Sequence, residues 1–305
     1  MKGIFFSILL FYCISVYGSE ELKVRIGDGP EIAFKSFFTT VMPGDTIKIA
    51  IRNETGVELL INSGEGKTIK TNKNIWKYVA PLNTGTYFIE IFQPESETYF
   101  RITVFVLRPL SEKKGEYLGE YRIGNYPSGK YKGRNNYAKP LGLIEVTKEN
   151  KDDYISPHFQ LKQFLCKQKS GWPKYVLIDP KVVAKLEYLV EELNKSGRDL
   201  KTIFVMSGYR TPYYNKAIGN VKYSRHIYGD AVDIYIDENF DSVIDDLDND
   251  GKSNMQDAVI IYKMLDKIDN DPKYKDLLGG LGKYRKNSAH TYFVHTDTRG
   301  YKARW

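Results

Sequence analysis

Two short stretches of this 305-residue chain carry residue types that could bind a metal ion for hydrolysis. In residues 224–233, His226 precedes Asp233 by seven positions, and near the C-terminus His295 lies in an apolar, strand-like run. Imidazole nitrogen and carboxylate oxygen are suitable zinc ligands, and three protein ligands leave a fourth position for water. The pattern predicts a catalytic zinc site formed by His226, Asp233 and a histidine of the C-terminal run.

The elements that must position these residues follow from hydrophobic periodicity. Apolar residues at three- and four-residue spacing predict a helix over residues 179–197. Residues 202–206 predict a buried strand that ends just before a polar loop, where functional residues are often found. Residues 231–236 alternate as a second strand, and Gly229 permits a turn before it, so Asp233 can fold back towards His226.

The pattern Ser224-x-His226-x-x-Gly229-x-Ala231-x-Asp233, followed by His295, resembles the zinc peptidases of the M15 family. This family includes D-alanyl-D-alanine carboxypeptidases and peptidoglycan endopeptidases. The resemblance covers residues 155–305 and implies an α+β domain of the D-Ala-D-Ala carboxypeptidase and Hedgehog type, with one zinc ion on His226, Asp233 and His295.

The same resemblance assigns roles around the metal. Arg210 matches the family's arginine that holds a substrate carboxylate or the oxyanion, and a bidentate, always-charged donor suits both tasks. Ser207, Tyr209 and Ser224 stand in the same two motifs and are predicted to contact substrate.

The general base is left open by the sequence. Several family members place an acidic residue three positions before the last histidine ligand, where this chain has Tyr292, and residues 293–305 are instead similar to the murein endopeptidase branch. Strand alternation places Asp297 on the face of His295, either near the metal or as a hydrogen-bond acceptor that orients His295. His290 is the candidate for stabilising the tetrahedral intermediate or moving a proton.

A separate acidic loop has the ligand spacing of an EF-hand calcium loop, with glycine at position six. Apolar residues at helical spacing on both sides predict helix, loop and helix. Ser253 at position eight and the short aspartate at position twelve indicate weak, structural calcium binding, and a merely acidic turn capped by Gly251 is the alternative. The predicted ligands are Asp246, Asp248, Asp250, Lys252, Asn254 and Asp257.

The N-terminal residues indicate export. Lys2 precedes an apolar run over residues 4–17 that is too short to span a bilayer, and small residues allow cleavage before Ser19. We therefore expect residues 1–18 to be a signal peptide, with no transmembrane span in the mature protein, which would be periplasmic, extracellular or in the cell wall. Cys13 would leave with the signal, so Cys166 would have no disulfide partner.

Residues 19–108 contain short alternating runs separated by turn signals, the spacing of an antiparallel β-sandwich, and we interpret them as an immunoglobulin-like domain. The domain has no histidine or cysteine and so lacks the residue types for metal or thiol catalysis. We therefore interpret it as a spacer, a docking domain or a wall-binding module. Trp76 and Tyr78 could stack on a sugar, although a core position is favoured. Residues 109–154, polar, glycine-rich and rich in tyrosine, are predicted to be a linker.

The net positive charge of the chain indicates an anionic class of partner but does not identify one. Residues 1–18 contain one lysine and no acidic residue, so the formal charge of +7 falls to +6 when they are removed. A mildly basic exported protein is attracted to anionic polymers such as those of the cell wall, and a solvated basic surface is the alternative. No nucleic-acid partner is predicted.

The resemblance thus implies an exported zinc metallopeptidase that hydrolyses peptide bonds in peptidoglycan stem peptides or cross-links. Carboxypeptidase and endopeptidase action, on D,D or L,D bonds, both remain open. The alternative is a noncatalytic protein that binds the cell wall or a partner and keeps zinc for stability. Loss of activity without loss of fold on replacement of His295 would favour the enzyme.

Overall fold

The structure is a computed structural model that describes residues 22–52, 58–129 and 131–305. The predicted signal peptide, residues 1–18, lies outside the described residues. Within the described ranges, none of the helices has the length and hydropathy that a bilayer span requires.

The described residues between 23 and 106 form two sheets whose buried apolar residues belong to one hydrophobic core. One sheet has the order β2-β1-β4-β7-β6 and the other the order β3-β9-β8-β5. The strands are β1 (Lys23–Ile26), β2 (Glu31–Ile32), β3 (Ser36–Val41), β4 (Thr46–Arg52), β5 (Leu60–Ser63), β6 (Lys67–Asn72), β7 (Ile75–Val79), β8 (Gly85–Gln93) and β9 (Thr98–Val106).

The prediction that these strands pair only in antiparallel fashion is wrong, because β3 pairs with β9 in parallel. The chain passes from β3 to the other sheet at β4 before β9 joins β3, so both strands can run in one direction. Trp76 and Tyr78 are buried in the core and present no sugar-stacking surface. The immunoglobulin-like assignment and the contact with wall polymers stay predictions.

The segment predicted to be a linker, residues 109–154, is part of the folded structure. Leu118, Tyr121 and Ile123 are buried, and β13 pairs with β16 from beyond the predicted boundary. Its polar composition indicated a connector because polar residues and glycine outnumber the few buried apolar residues that anchor it. The strands here are β10 (Arg108–Pro109), β11 (Tyr117–Leu118), β12 (Tyr121–Arg122), β13 (Gly142–Val146), β14 (Tyr154–Ser156), β15 (Phe159–Gln160) and β16 (Lys174–Val176).

The remaining residues form a five-stranded sheet of order β17-β18-β20-β19-β21, against which helix α3 packs. The predicted helix over residues 179–197 is confirmed as α1, which starts where the Asp179 side chain accepts a hydrogen bond from the Lys181 amide at 2.9 Å. The elements are α1 (Pro180–Lys195), β17 (Phe204–Ser207), α2 (Pro212–Ala217), β18 (Ala231–Tyr235), α3 (Met255–Asn270), β19 (Gly280–Tyr284), β20 (Phe293–Asp297) and β21 (Ala303–Arg304).

Helix α1 also joins the two halves of the chain. The Tyr188 hydroxyl donates a hydrogen bond to the Glu31 carbonyl at 3.0 Å, and the rings of Tyr188 and Phe34 lie 5.1 Å apart. Both aromatic residues belong to the hydrophobic core. The N-terminal sheets are therefore packed against the C-terminal domain.

The helix predicted before the acidic loop is wrong, because residues 237–254 contain no helix. The Asp237 carboxylate accepts hydrogen bonds from the amides of Asp241, at 3.0 Å, and Ser242, at 3.1 Å. Phe240 and Ser242 have φ values of 59° and 65°, in the left-handed region. Aspartate side chains that bond nearby amides stabilise turns in place of helix, which the apolar spacing alone did not reveal.

Candidate active site

The C-terminal sheet brings the predicted metal ligands together through strand register. Ser207 on β17 pairs with Asp233 on β18, Asp233 pairs with His295 on β20, and His295 pairs with Gly282 on β19. Side chains of directly paired residues point to the same face of a sheet. As a result, Asp233 Oδ1 lies 2.9 Å from His295 Nδ1.

His226 reaches this face from a 3-10 turn over Arg225–Tyr228. Gly229 ends the turn with φ 74°, and a Cβ there would lie 2.5 Å from the Leu177 carbonyl oxygen, so the position requires glycine. His226 Nδ1 donates to the Gly208 carbonyl at 2.8 Å, and Nε2 lies 3.3 Å from Asp233 Oδ1. The turn thus directs the unprotonated nitrogen of His226 towards Asp233.

Donor atoms of His226, Asp233 and His295 all lie within 4.8 Å of one another, and the three residues are buried. Two imidazoles and one carboxylate are the ligand types of catalytic zinc sites. The residues present therefore fit a zinc ion, as the sequence predicted.

Burial and mutual contacts shift the pKa values of all three residues of the cluster. Burial lowers the pKa of His226, which favours the neutral imidazole. Burial raises the pKa of Asp233, but its interactions with His226 and His295 outweigh burial and hold the pKa well below its usual range. Burial also lowers the pKa of His295, yet hydrogen bonds and charges from Asp233 and Asp297 raise it to about 9 in the metal-free protein.

Zinc affinity is expected to depend on pH. Below about pH 9, metal-free His295 carries a proton that a cation must displace, so the affinity should rise about tenfold per pH unit from pH 7 and level off near pH 9. Competition with a fluorescent chelator between pH 6.5 and 9.5 measures this slope. A His290→Gln variant should show the same slope, and an affinity that does not change between pH 7 and 9 would contradict the prediction.

Arg210 lies beside the cluster, as predicted. Its Nη2 contacts Asp233 Oδ2 at 2.5 Å, and its Nε donates to Ser207 Oγ at 2.9 Å. Ser207 therefore positions Arg210 and is not among the described residues that line the adjoining cavity. Asp233 and Ser207 hold the guanidinium on two sides, which leaves Nη1 for a ligand.

The cluster opens into a cavity of about 680 Å³, which Arg210, Ser224, His226 and His295 line together with aromatic residues. One wall comes from the predicted linker and includes Tyr131, Lys132 and Tyr137. Sequence reasoning did not assign these residues to the site. The density of tyrosine and basic residues in that segment was the only signal.

Asp297 acts on the metal site through His295. Asp297 Oδ2 lies 3.2 Å from His295 Nε2, and Arg299 Nε donates to both carboxylate oxygens at 2.8 Å. The Gly280 amide also donates to Oδ1 at 2.8 Å. The sequence left two roles open to Asp297, a place near the metal or orientation of His295. The geometry supports orientation of His295, because Asp297 contacts Nε2 and leaves Nδ1 of His295 for a metal ion. Arg299, which also lines the cavity, was missed by the sequence reasoning.

Two predicted site residues lie elsewhere. His290 Nδ1 donates to the Thr291 carbonyl at 2.8 Å, its Nε2 lies 2.8 Å from Asn287 Nδ2, and His290 is not among the described residues that line the cavity. The prediction of substrate contact for Tyr209 is wrong, because this side chain is 2% exposed and its hydroxyl bonds that of Tyr126 at 2.8 Å. Its position beside Arg210 in sequence did not reveal that burial.

Trp305 forms another wall of the cavity. Its ring centroid lies 5.3 Å from that of His295, and its Nε1 donates to the Tyr284 hydroxyl at 2.6 Å. A Cβ at Gly282 would lie 2.2 Å from Trp305 Nε1, so the indole occupies the space that a side chain would fill. The glycine-rich strand β19 therefore accommodates Trp305 next to the metal ligands.

Gly282→Ala is expected to displace the indole of Trp305 and break its bond to Tyr284, because the new methyl group overlaps the ring. Increased quenching of tryptophan emission by acrylamide would report the displacement, and the overlap should cost about 1 kcal/mol of unfolding free energy in urea. Gly171→Ala is the matched control, since a Cβ there meets nothing within 4 Å. Unchanged quenching in Gly282→Ala would contradict the prediction.

Of the six predicted calcium ligands, the acidic loop brings three carboxylates together. Asp246, Asp248 and Asp250 offer oxygens within 4.8 Å of one another. Both oxygens of Asp257 instead accept backbone hydrogen bonds, from Leu247 and Asn254, each at 2.7 Å, and cap helix α3. The bidentate ligand of an EF-hand is thus engaged within the fold, and calcium binding stays a prediction, as does ligation by Lys252 and Asn254.

Comparison with known proteins addresses the same part of the chain. A family model described as Peptidase M15 matches residues 157–262. The matched segment includes Arg210, His226 and Asp233 and ends before His295. Among the curated proteins, no sequence matches the chain.

Proposed function

The C-terminal domain is an M15 family peptidase, and on this premise we propose that the protein is an exported zinc peptidase that hydrolyses peptide bonds in peptidoglycan stems or cross-links. One observation carries the proposal: the buried cluster of His226, Asp233 and His295 lies beside Arg210 and opens into a cavity of about 680 Å³. A purely structural zinc site needs neither the arginine nor the cavity.

His226, Asp233 and His295 would hold the zinc ion, which supplies a Lewis acid for the carbonyl and for water. Gly208 and Asp297 fix the two imidazoles through hydrogen bonds to their other ring nitrogens. These hydrogen bonds orient the rings so that Nε2 of His226 and Nδ1 of His295 face the site of the ion. The protein thereby prepares the ligand set before substrate arrives.

Arg210 would bind the developing oxyanion or a substrate carboxylate. Two of its nitrogens are held by Ser207 and Asp233, so the guanidinium is oriented before substrate binds. An oriented donor costs no reorganisation as charge develops, which is the basis of oxyanion stabilisation. Asp233 is the only carboxylate among the described cavity-lining residues, so proton transfer would depend on water or on tyrosine hydroxyls.

Export is supported by the sequence of residues 1–18, and the wall as the place of action is supported by the resemblance to peptidoglycan peptidases. Carboxypeptidase and endopeptidase action are the two forms that the proposal allows. They differ in whether the substrate chain continues beyond the cleaved bond.

The test is incubation of the purified mature protein with peptidoglycan, with and without a zinc chelator, followed by mass spectrometry of the muropeptides. Chelator-sensitive loss of a terminal residue would identify a carboxypeptidase, and conversion of cross-linked dimers to monomers would identify an endopeptidase. Unchanged muropeptides, from protein that carries one zinc ion, would refute peptidoglycan hydrolysis and favour the noncatalytic alternative.

A further inference from the structure

The active-site cavity carries an excess of positive charge. Among its described lining residues, five are cations and one is a carboxylate, Asp233. The three arginines are each paired with an aspartate, Arg210 with Asp233 at 2.5 Å, Arg225 with Asp230 at 3.0 Å, and Arg299 with Asp297 at 2.8 Å. The charge of these arginines is therefore largely balanced within the protein.

The two lysines of the cavity, Lys132 and Lys222, are different. Both are exposed, and neither forms an ion pair with a residue that the structure describes. Lys132 Nζ lies 5.4 Å from the ring centroid of Tyr131, and Lys222 Nζ lies 5.5 Å from that of Tyr223. The two tyrosine rings pack together with centroids 4.7 Å apart, so both lysines lie beside one tyrosine pair in the cavity wall.

The backbone conformation of Lys132 is a separate observation at this position. Lys132 has φ 50° and ψ 36°, a left-handed conformation that is unfavourable for a lysine. The next residue, Gly133, also has a positive φ, of 73°. A glycine at residue 132 would adopt this turn more easily, so the turn itself gives no reason for a lysine there.

Lys132 lies outside residues 157–262, which match the peptidase family, whereas Lys222 lies inside them. The pair is thus formed by a segment outside the family match and by the loop that precedes His226. Unpaired ammonium groups over tyrosine rings, next to an otherwise balanced site, attract an anion.

We propose that Lys132 and Lys222 form a carboxylate-binding subsite, which selects peptide substrates with a free carboxylate away from the cleaved bond. The proposal rests on the proposed peptidase function and specifies its substrate class. The lysines contact no reacting atom and determine specificity. Affinity for such substrates should fall as salt rises, because exposed charges are screened.

The experiment compares two synthetic peptidoglycan stem peptides, one with a free carboxylate away from the cleaved bond and one with a carboxamide in its place. For Lys132→Gln and Lys222→Gln, KM for the carboxylate peptide should rise roughly 1.5- to 5-fold, with kcat unchanged, as expected for exposed charge pairs. KM for the carboxamide peptide should not change. Lys216→Gln, on α2 and outside this cavity, is the matched control.

Lys132→Gly separates binding from folding. It should lose the same preference for the carboxylate peptide while its Tm stays level or rises, since glycine relieves the left-handed conformation. Equal KM changes for both peptides, or none for either, would overturn the subsite.

Titration of both peptides into the metal-free protein reports binding without turnover. Preference for the carboxylate peptide in binding, with neither peptide cleaved by the zinc-loaded protein, would support the subsite and refute the peptidase. Cleavage of both peptides with no preference in KM or in binding would refute the subsite and leave the peptidase in place.

Discussion

Replacement of His295 by alanine is expected to reduce peptide hydrolysis by about a thousandfold or more and to lower bound zinc from one ion per chain to none. Stabilisation by a metal Lewis acid amounts to several kcal/mol, and each 1.36 kcal/mol is tenfold in rate. His295 supplies one of three donors and separates Asp233 from Asp297, with contacts of 2.9 Å and 3.2 Å. Without the imidazole, two ligands remain.

The measurement combines zinc content, release of muropeptides and urea unfolding. His290→Ala removes the same side chain at a position outside the described cavity lining, and it should keep both zinc and activity. A variant that unfolds when zinc is lost would support the alternative of structural zinc. Retention of wild-type activity by His295→Ala would refute the assigned ligand set.

Arg210→Lys is expected to lower kcat/KM by roughly 10²- to 10³-fold while zinc content stays at one ion per chain, the loss seen when an oxyanion donor is removed. Arg210 contacts Ser207 through Nε and Asp233 through Nη2, at 2.9 Å and 2.5 Å. A lysine ammonium cannot hold both contacts and still present a further donor to substrate. Conserving the charge should therefore not conserve the rate.

Ser207→Ala is the companion variant, because it removes only the hydroxyl that holds Arg210 Nε. We expect an intermediate loss of about 10-fold, as for residues that orient a catalytic group. Zinc content by mass spectrometry and kinetics with one defined peptide check both variants. An Arg210→Lys enzyme within about threefold of wild type would show that Arg210 acts only as a point charge.

The sequence alone identified the candidate zinc cluster of His226, Asp233 and His295, because its short motifs resemble those of the M15 family. Asp233 and His295 are paired across β18 and β20, so the register of two local elements is enough to bring them together. Helix α1 was predictable for the same reason, since its cap and its apolar period are local.

Local patterns misled where side chains bond the backbone nearby. The spacing before the acidic loop is helical, but Asp237 bonds the amides of Asp241 and Ser242 and stabilises turns. Asp257 has the spacing of a calcium ligand, yet it caps α3 with both of its oxygens. Aspartate can ligate a cation or accept hydrogen bonds from backbone amides, so spacing alone cannot decide between these two roles.

Only the tertiary structure decided which distant segments complete the cavity. Tyr131 and Lys132 lie in a segment whose composition indicated a linker, and Arg225 fixes that segment by donating to the Asn136 carbonyl at 2.9 Å. Tyr209 follows the predicted site motif but is buried against Tyr126. Periodicity encodes the elements, whereas contacts between residues about a hundred positions apart depend on how those elements pack, which a single sequence does not state.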